Sequence, residues 1–512
     1  MPPNPQGISR RRFDIALAGS LIGGFGGRSS GAARSPAPSA PDHVQALASG
    51  SRVKSTTAYR QLGFIDVDAH GGVPISPHLF GANNSWYWVP ATRFNSFCRS
   101  LTRKAGITLL RFPGGFESEH YNWGSNSLNP KYKHYTRVAG ASPAQAIDDM
   151  GAGNVSFVAP TLDAFFANSS AARRHWADVA GGLVQRYGGE VRDWEIGNEW
   201  YHFGGAPKHY NAYLKRYCEL VSRYVPAMNS AAAQAGHRIN LYVSVNWVRP
   251  HDLVLMQKWI PPHIWKQFDG LNLHIYTGFR PGGKSPYPPR PIGQVQDTIH
   301  ELRKLSGKHL LYVSEWMAAL NDNGHHGGLI NAHYMLEIAG QFAAAGVELA
   351  AYWPAVCPQF FKDGRRAAQS GRVTLVTDLP GFPIDADGQA MKWMSESFRG
   401  HALRARISGT SATAISARMP DGTITVIIMS GPDSPNQAIR VRAVGKAWNK
   451  VTSAQVMWAG QGRMDRGAAN ISPLPTRVVR SRGTNEVELT VNPAGVNRGA
   501  SWEIARLVLS QI

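Results

Sequence analysis

From Leu79 to Phe398 the chain alternates short apolar runs with longer amphipathic ones, and this alternation constrains the fold more than any other feature. The apolar runs are Leu79–Asn83, Thr108–Phe112, Val155–Ala159, Val191–Gly197, Ile239–Val245, Gly270–Tyr276, His309–Glu315 and Val347–Trp353. Between several of them lie segments with helical spacing of apolar residues: Ala91–Ala105, Ala171–Tyr187, Lys208–Ala235, Ile292–Leu305 and Gly328–Ala345. Strand then helix, repeated, requires parallel strands joined by helical crossovers. Eight such units predict an α/β chain folded as a (β/α)8 TIM barrel, with its functional groups at the C-terminal strand ends. An open doubly wound sheet is the competitor, but no Gly-rich phosphate loop follows the first strand.

After Gly400 the pattern changes. Ala405–Ala417, Thr423–Ser430, Ala438–Val444, Ala454–Trp458, Glu486–Val491 and Ala505–Leu509 are alternating or apolar runs split by turn residues. They predict an attached C-terminal antiparallel β-sandwich. Phe64–Asp68 reads as another strand, contributed to that sandwich from before the barrel. The expected division is 1–48 leader and linker, 49–78 a segment joining the sandwich, 79–398 the barrel and 399–512 the sandwich.

The leader reading rests on Ser9-Arg10-Arg11-Arg12-Phe13, followed by an apolar, Gly-rich run to Gly27. That is the pattern of a twin-arginine export signal, too short and Gly-rich for a membrane span. It predicts a periplasmic or secreted protein with no stable span after export. Cys98, Cys218 and Cys357 are widely spaced and form no metal-binding pattern, so buried thiols are expected. The formal charge of +20 invites nucleic acid or anionic polymers as partners. No nucleic-acid motif accompanies it, and part of the excess lies in the leader.

Two carboxylates stand at the ends of predicted strands. Val191–Gly197 delivers Asn198-Glu199, and His309–Glu315 ends on Ser314-Glu315-Trp316. Such a pair suits glycosidic bond cleavage, where one carboxyl protonates the leaving oxygen and the other attacks or activates water. The predicted second strand adds Arg111-Phe112-Pro113-Gly114-Gly115, then Glu117, Glu119 and Tyr121-Asn122-Trp123. The sixth gives Asn272, His274 and Tyr276, and the eighth gives Tyr352-Trp353-Pro354. Glu195, two by two below Glu199 on one strand face, should be a buried structural carboxylate needing a cation. Glu117 and Glu119 lie in a loop from which they could touch substrate.

Along this set, over roughly residues 60–400 and the sandwich, the chain resembles the retaining glycoside hydrolases of clan GH-A. The run from Arg111 to Trp123 is similar to family 51 arabinofuranosidases and family 44 endoglucanases. Ser314-Glu315-Trp316 resembles families 39 and 51, and family 79 belongs to the same set; no single family matches throughout. The resemblance implies that Glu199 is the acid/base and Glu315 the nucleophile. It implies that Asn198 binds the sugar 2-hydroxyl, that Tyr276 and Arg111 hold Glu315 ionised, and that His274 binds a hydroxyl or orients a glutamate. Trp353 becomes a stacking floor, with Trp316 a supporting residue. A drier pocket should keep Glu199 protonated while Arg111 keeps Glu315 charged.

The expected function is therefore an exported retaining glycosidase acting on a polysaccharide or oligosaccharide, with no cofactor and no metal. A transglycosylase at the same site and a non-catalytic carbohydrate-binding barrel are the alternatives. Basic residues in the predicted sixth and eighth loops (Arg280, Lys284, Arg290, Lys362, Arg365 and Arg366) suit either a solvated rim or an acidic polysaccharide. The reading taken forward is a bias toward an acid-bearing polymer.

Overall fold

The computed structural model of the protein describes residues 62–510, apart from 85, 87, 130–138, 206–208, 278–291, 318–327, 357–373, 432–436, 446–447, 449, 460–467, 482–483 and 492–502. The twin-arginine run, Cys357 and the basic residues of the sixth and eighth loops lie outside the described residues.

The barrel is made of β1 (Gly81–Asn83), β2 (Leu109–Phe112), β3 (Val155–Ala159), β4 (Asp193–Ile196), β5 (Asn240–Val245), β6 (Gly270–Tyr276), β7 (Leu310–Met317) and β8 (Leu349–Tyr352). Each pairs in parallel with the next, and β8 closes on β1. All eight expected strands form, with ends shifted by a residue or two. Val155–Ala159 is buried at every position because helices cover its outer face and the barrel interior its inner one.

Helices Ser170–Tyr187 and Tyr210–Ala235 pack side by side outside β3 to β5. Ser169 caps the first by accepting the Ala172 N–H, and Gly236, at φ +69°, ends the second in the left-handed conformation. Pro143–Met150, outside the segments with expected helical spacing, is also a helix. Ser142 caps it and Pro143 occupies its first turn, a start signal present in the sequence.

One end of the barrel interior is closed by Leu109, Tyr242, Tyr312, Leu349 and Ala351. Two residues further along β2, β4 and β6 the inward positions become Arg111, Glu195 and Asn272. The barrel thus changes from an apolar floor to a polar interior on the way to its C-terminal mouth.

The sandwich pairs a five-stranded sheet with a seven-stranded one. The first runs Ala405–Ser408, Leu62–Asp68, Gln437–Val444, Thr484–Val491, Thr476–Ser481. Ile65, Val67, Val426, Ile428, Ile439, Val441 and Leu507 fill the space between the sheets. Leu62–Asp68 pairs antiparallel with Ala405–Ser408 and parallel with Gln437–Val444. This parallel pair departs from the all-antiparallel expectation. Parallel pairing needs a long crossover, and here the whole barrel lies between the two strands. The single run expected over Ala405–Ala417 is two strands, Ala405–Ser408 and Thr413–Arg418, broken at Gly409 with φ +69°. The seven-stranded sheet lies against helix Gly328–Ala344, where Gly340 leaves room for Ile415; a Cβ there would stand 2.3 Å from Ile415 Cγ2.

Candidate active site

Arg111 organises the mouth of the barrel. It is fully buried, and its Nε and Nη2 reach Glu195 Oε1 and Oε2 at 2.6 and 2.9 Å. Nη1 donates to Glu315 Oε1 at 2.6 Å and to Asn83 Oδ1 at 3.1 Å, and Nη2 donates to Asn198 Oδ1 at 2.8 Å. One planar cation therefore serves two carboxylates and two amides. Burial works to lower the Arg111 pKa, but Glu195 and Glu315 carry it above its usual value, so the charge is permanent. Glu195 is the buried carboxylate with a cation partner that its position predicted, and Asn272 Nδ2 completes it at 2.5 Å.

Glu315 projects inward from β7. Tyr276 Oη donates to its Oε2 at 2.5 Å, so both oxygens are held, one by Arg111 and one by Tyr276. Burial and the charges of Glu315 and Glu199 push the Tyr276 phenol well above its ordinary pKa, which keeps it a donor. A register shift where β6 meets β7, between Leu273 and His274, places Glu315 opposite His274.

Glu199 follows β4 through a turn in which Gly197 has φ +75° and Glu199 itself φ +43°. Glycine is required at 197, since a Cβ would also stand 2.4 Å from Thr161 Oγ1. His274 Nδ1 lies 3.0 Å from Glu199 Oε1 and 3.4 Å from Glu315 Oε2, bridging the two carboxylates. One oxygen of each carboxylate and one ring nitrogen of His274 fall within 4.8 Å of one another. Three such atoms could ligate a cation, but Arg111 and Tyr276 already occupy Glu315, and a guanidinium at 2.6 Å opposes a second positive charge.

The surroundings of Glu199 differ from the expected dry pocket. Burial does push its pKa up, but His202, His274 and Arg111 outweigh burial and bring it down to about 2. His202, whose Nε2 lies 3.9 Å from Glu199 Oε1, was not singled out in the sequence. Its i+3 spacing from Glu199 was the available signal. Asn83 was also missed: it accepts from Arg111 and donates to the Ala351 and Ser314 carbonyls, tying β1 to β7 and β8.

Asn198 is fully buried with its Oδ1 on Arg111, while its Nδ2 has no hydrogen-bond partner among the described residues. Trp353 stands half-buried beside Trp88, ring centroids 5.3 Å apart and planes 40° from parallel. Trp316 is fully buried and meets Phe342 and Tyr352 edge-on at 5.3 and 5.0 Å. It supports β7 from the helix layer and offers no face to a ligand. Glu119 turns away from the mouth, against the expectation that it could touch substrate. It is buried and accepts the N–H groups of Thr161, Leu162 and Asn198.

Cys98 and Cys218 are buried free thiols. Among the described residues no helix is long and apolar enough to cross a membrane.

No protein-family model and no curated protein matches the chain. Solved structures do. The GH51 arabinofuranosidase from Xanthomonas axonopodis pv. citri superposes with TM-score 0.61 at 15% identity, over 88% of this chain and 99% of that one. A monomeric beta-xylosidase from Caulobacter crescentus CB15 gives TM-score 0.54 at 15% identity, over 88% and 99%. A family 44 xyloglucanase from Paenibacillus polymyxa gives TM-score 0.54 at 12% identity, over 88% and 100%. At these identities the likeness is one of fold. It spans more than one family of the clan that the motifs resemble, and singles out none.

Proposed function

We propose that this chain is a retaining glycoside hydrolase that cleaves a polysaccharide or oligosaccharide through a covalent glycosyl-enzyme. One observation carries the reading: one oxygen of Glu199 and one of Glu315, delivered by β4 and β7 of one barrel, lie within 4.8 Å of each other. Retaining pairs stand roughly 5–5.5 Å apart, whereas inverting pairs leave about 6.5–9.5 Å for a water. The solved structures sharing the fold carry arabinofuranosidase, beta-xylosidase and xyloglucanase in their names, which supports a sugar substrate.

Glu315 attacks the anomeric carbon while Glu199 protonates the departing oxygen; Glu199 then takes a proton from water, which releases the sugar. Arg111 and Tyr276 hold the two oxygens of Glu315 and turn it toward the sugar. Asn198 Nδ2, buried and without a partner among the described residues, donates to a sugar hydroxyl beside the reacting carbon. Trp353 offers a ring face to the apolar side of a sugar. His274 Nδ1 faces Glu199 Oε1 at 3.0 Å; burial favours the acid form of Glu199, while His202, His274 and Arg111 favour its ionised form. Ester formation on Glu315 then removes a neighbouring negative charge, which favours ionised Glu199 as the base for the second step.

The first test is trapping. A slow fluorinated glycoside with an activated leaving group should label Glu315, found by peptide mapping, and the first-formed product should keep the anomeric configuration of the substrate. Labelling elsewhere, or an inverted product, would refute the retaining assignment.

Export by the twin-arginine route and a preference for acidic polymers belong to the same proposal and rest on the sequence. A basic rim attracts a polyanion electrostatically, so kcat/KM on a charged polymer should fall with salt while its neutral analogue is unaffected. Equal salt responses would remove substrate charge from the account.

A further inference from the structure

Glu119 differs from Glu195 and Glu315, the buried carboxylates on Arg111, because neutral groups hold it. Glu195 has a guanidinium at 2.6 Å, whereas among the described residues the donors to Glu119 are backbone N–H groups and a hydroxyl. Its Oε2 accepts the Thr161 N–H at 2.6 Å and the Leu162 N–H at 2.7 Å. Its Oε1 accepts the Thr161 hydroxyl at 3.1 Å and the Asn198 N–H. These donors come from two places: the loop after β3, and the turn that carries Glu199. Glu119 itself sits in the loop after β2.

The turn needs such a tether. Gly197 and Glu199 both adopt left-handed φ, +75° and +43°, and the second is unusual for a residue with a side chain. A conformation of that kind persists only when its surroundings hold it. On the inner side of the turn a Cβ at Gly197 would stand 3.2 Å from Glu119 Oε1, so the carboxylate is packed directly against it. The fixed points of the turn are then the Gly197 N–H on the Ala159 carbonyl, the Asn198 side chain on Arg111, and the Asn198 N–H on Glu119.

We propose that Glu119 is a positioning residue for the acid/base: its carboxylate clamps the Asn198 N–H and thereby fixes the angle at which the following residue, Glu199, meets the leaving oxygen. The clamp rests on the reading of Glu199 as acid/base. It acts chiefly on proton delivery, because Glu315, Arg111 and Tyr276 are anchored through other strands and the Asn198 side chain keeps its own hydrogen bond to Arg111.

Leaving-group dependence tests this. Glu119→Gln keeps the shape but replaces one oxygen by an NH2. With the amide oxygen kept on Thr161 and Leu162, the NH2 can donate to the Thr161 hydroxyl but must oppose the Asn198 N–H. A dinitrophenyl glycoside leaves without protonation, while a phenyl glycoside needs it. Glu119→Gln should lower kcat/KM on the phenyl glycoside by about tenfold or more while changing the dinitrophenyl glycoside by about twofold at most. Equal losses on both substrates, as from a smaller folded fraction, would overturn the proposal, and so would no loss on either. Should Glu119→Gln not fold, Glu119→Asp retracts the same oxygens with the charge kept, and the same selectivity is expected of it. Glu199→Ala is the control. If it shows no leaving-group selectivity, the acid/base assignment itself fails; if it does and the Glu119 variants do not, only the clamp fails.

Discussion

Tyr276 Oη donates to Glu315 Oε2 at 2.5 Å from the neighbouring strand, on the side of the carboxylate opposite Arg111. Removing that donor leaves a charged oxygen short of one hydrogen bond, worth about 1.5–3 kcal/mol. Tyr276→Phe should therefore lower kcat by roughly ten- to a hundredfold and also lower the melting temperature, since the stranded oxygen is buried. Steady-state kinetics alongside a thermal melt would check it; unchanged turnover would show that the phenol does not act on Glu315.

Arg111 is both a site residue and the counter-ion of the polar interior. Arg111→Met strands Glu195 and Glu315 without a cation, and breaking a buried pair from one side costs about 3–5 kcal/mol. Arg111→Met with Glu195→Gln should regain much of that stability but little activity. Denaturant melts of the single and double variants give the comparison. Full recovery of turnover in the double variant would reduce Arg111 to a structural partner of Glu195.

Trp353 is held in place partly by the missing side chain of Gly115. A Cβ there would lie 2.7 Å from the Trp353 ring, at a backbone φ of +60°. Trp353→Ala should raise KM by roughly two- to tenfold, the worth of one aromatic contact, with kcat less affected. Gly115→Ala should move KM in the same direction by displacing the ring. A change in kcat alone from both variants would argue against a stacking floor.

Stability should carry a pH signature from carboxyls buried without a cation. Burial raises Glu119 from 4.5 to about 7, against the lowering effect of its hydrogen bonds, and raises Asp385 from 3.8 to about 7. For both, the folded state holds the proton more tightly than the unfolded chain. Their contribution is fully present below pH 3.8 for Asp385 and 4.5 for Glu119, and is lost as pH rises toward about 7. Glu119→Gln should make the decline in unfolding free energy over that window shallower, whatever its effect on absolute stability. Parallel slopes in the variant and the parent would sink the assignment.

Much of this protein is determined locally. Eight apolar runs spaced by amphipathic helices admit few closed solutions, because parallel strands need crossovers and buried strands need cover on both faces. The same period-two logic foretold that Glu195 would need a cation inside the barrel. The meeting of Asn198-Glu199 and Glu315 at one mouth was legible because the C-terminal ends of parallel barrel strands converge there. What the sequence could not decide is where each side chain points once the strands curl and shift register. The shift that sets Glu315 beside His274 also leaves Trp316 in the helix layer. Glu119, next to Glu117 but for one residue, turns inward because buried N–H groups from two other loops demand an acceptor there. The pairing of Leu62–Asp68 alongside Gln437–Val444 joins residues hundreds of positions apart. The imidazoles around Glu199 reverse the charge state that its burial alone would favour. Hydrophobic periodicity is a short-range property and is written in the sequence. Hydrogen-bond satisfaction and the coupling of charges depend on distances between remote segments, which only the folded chain defines.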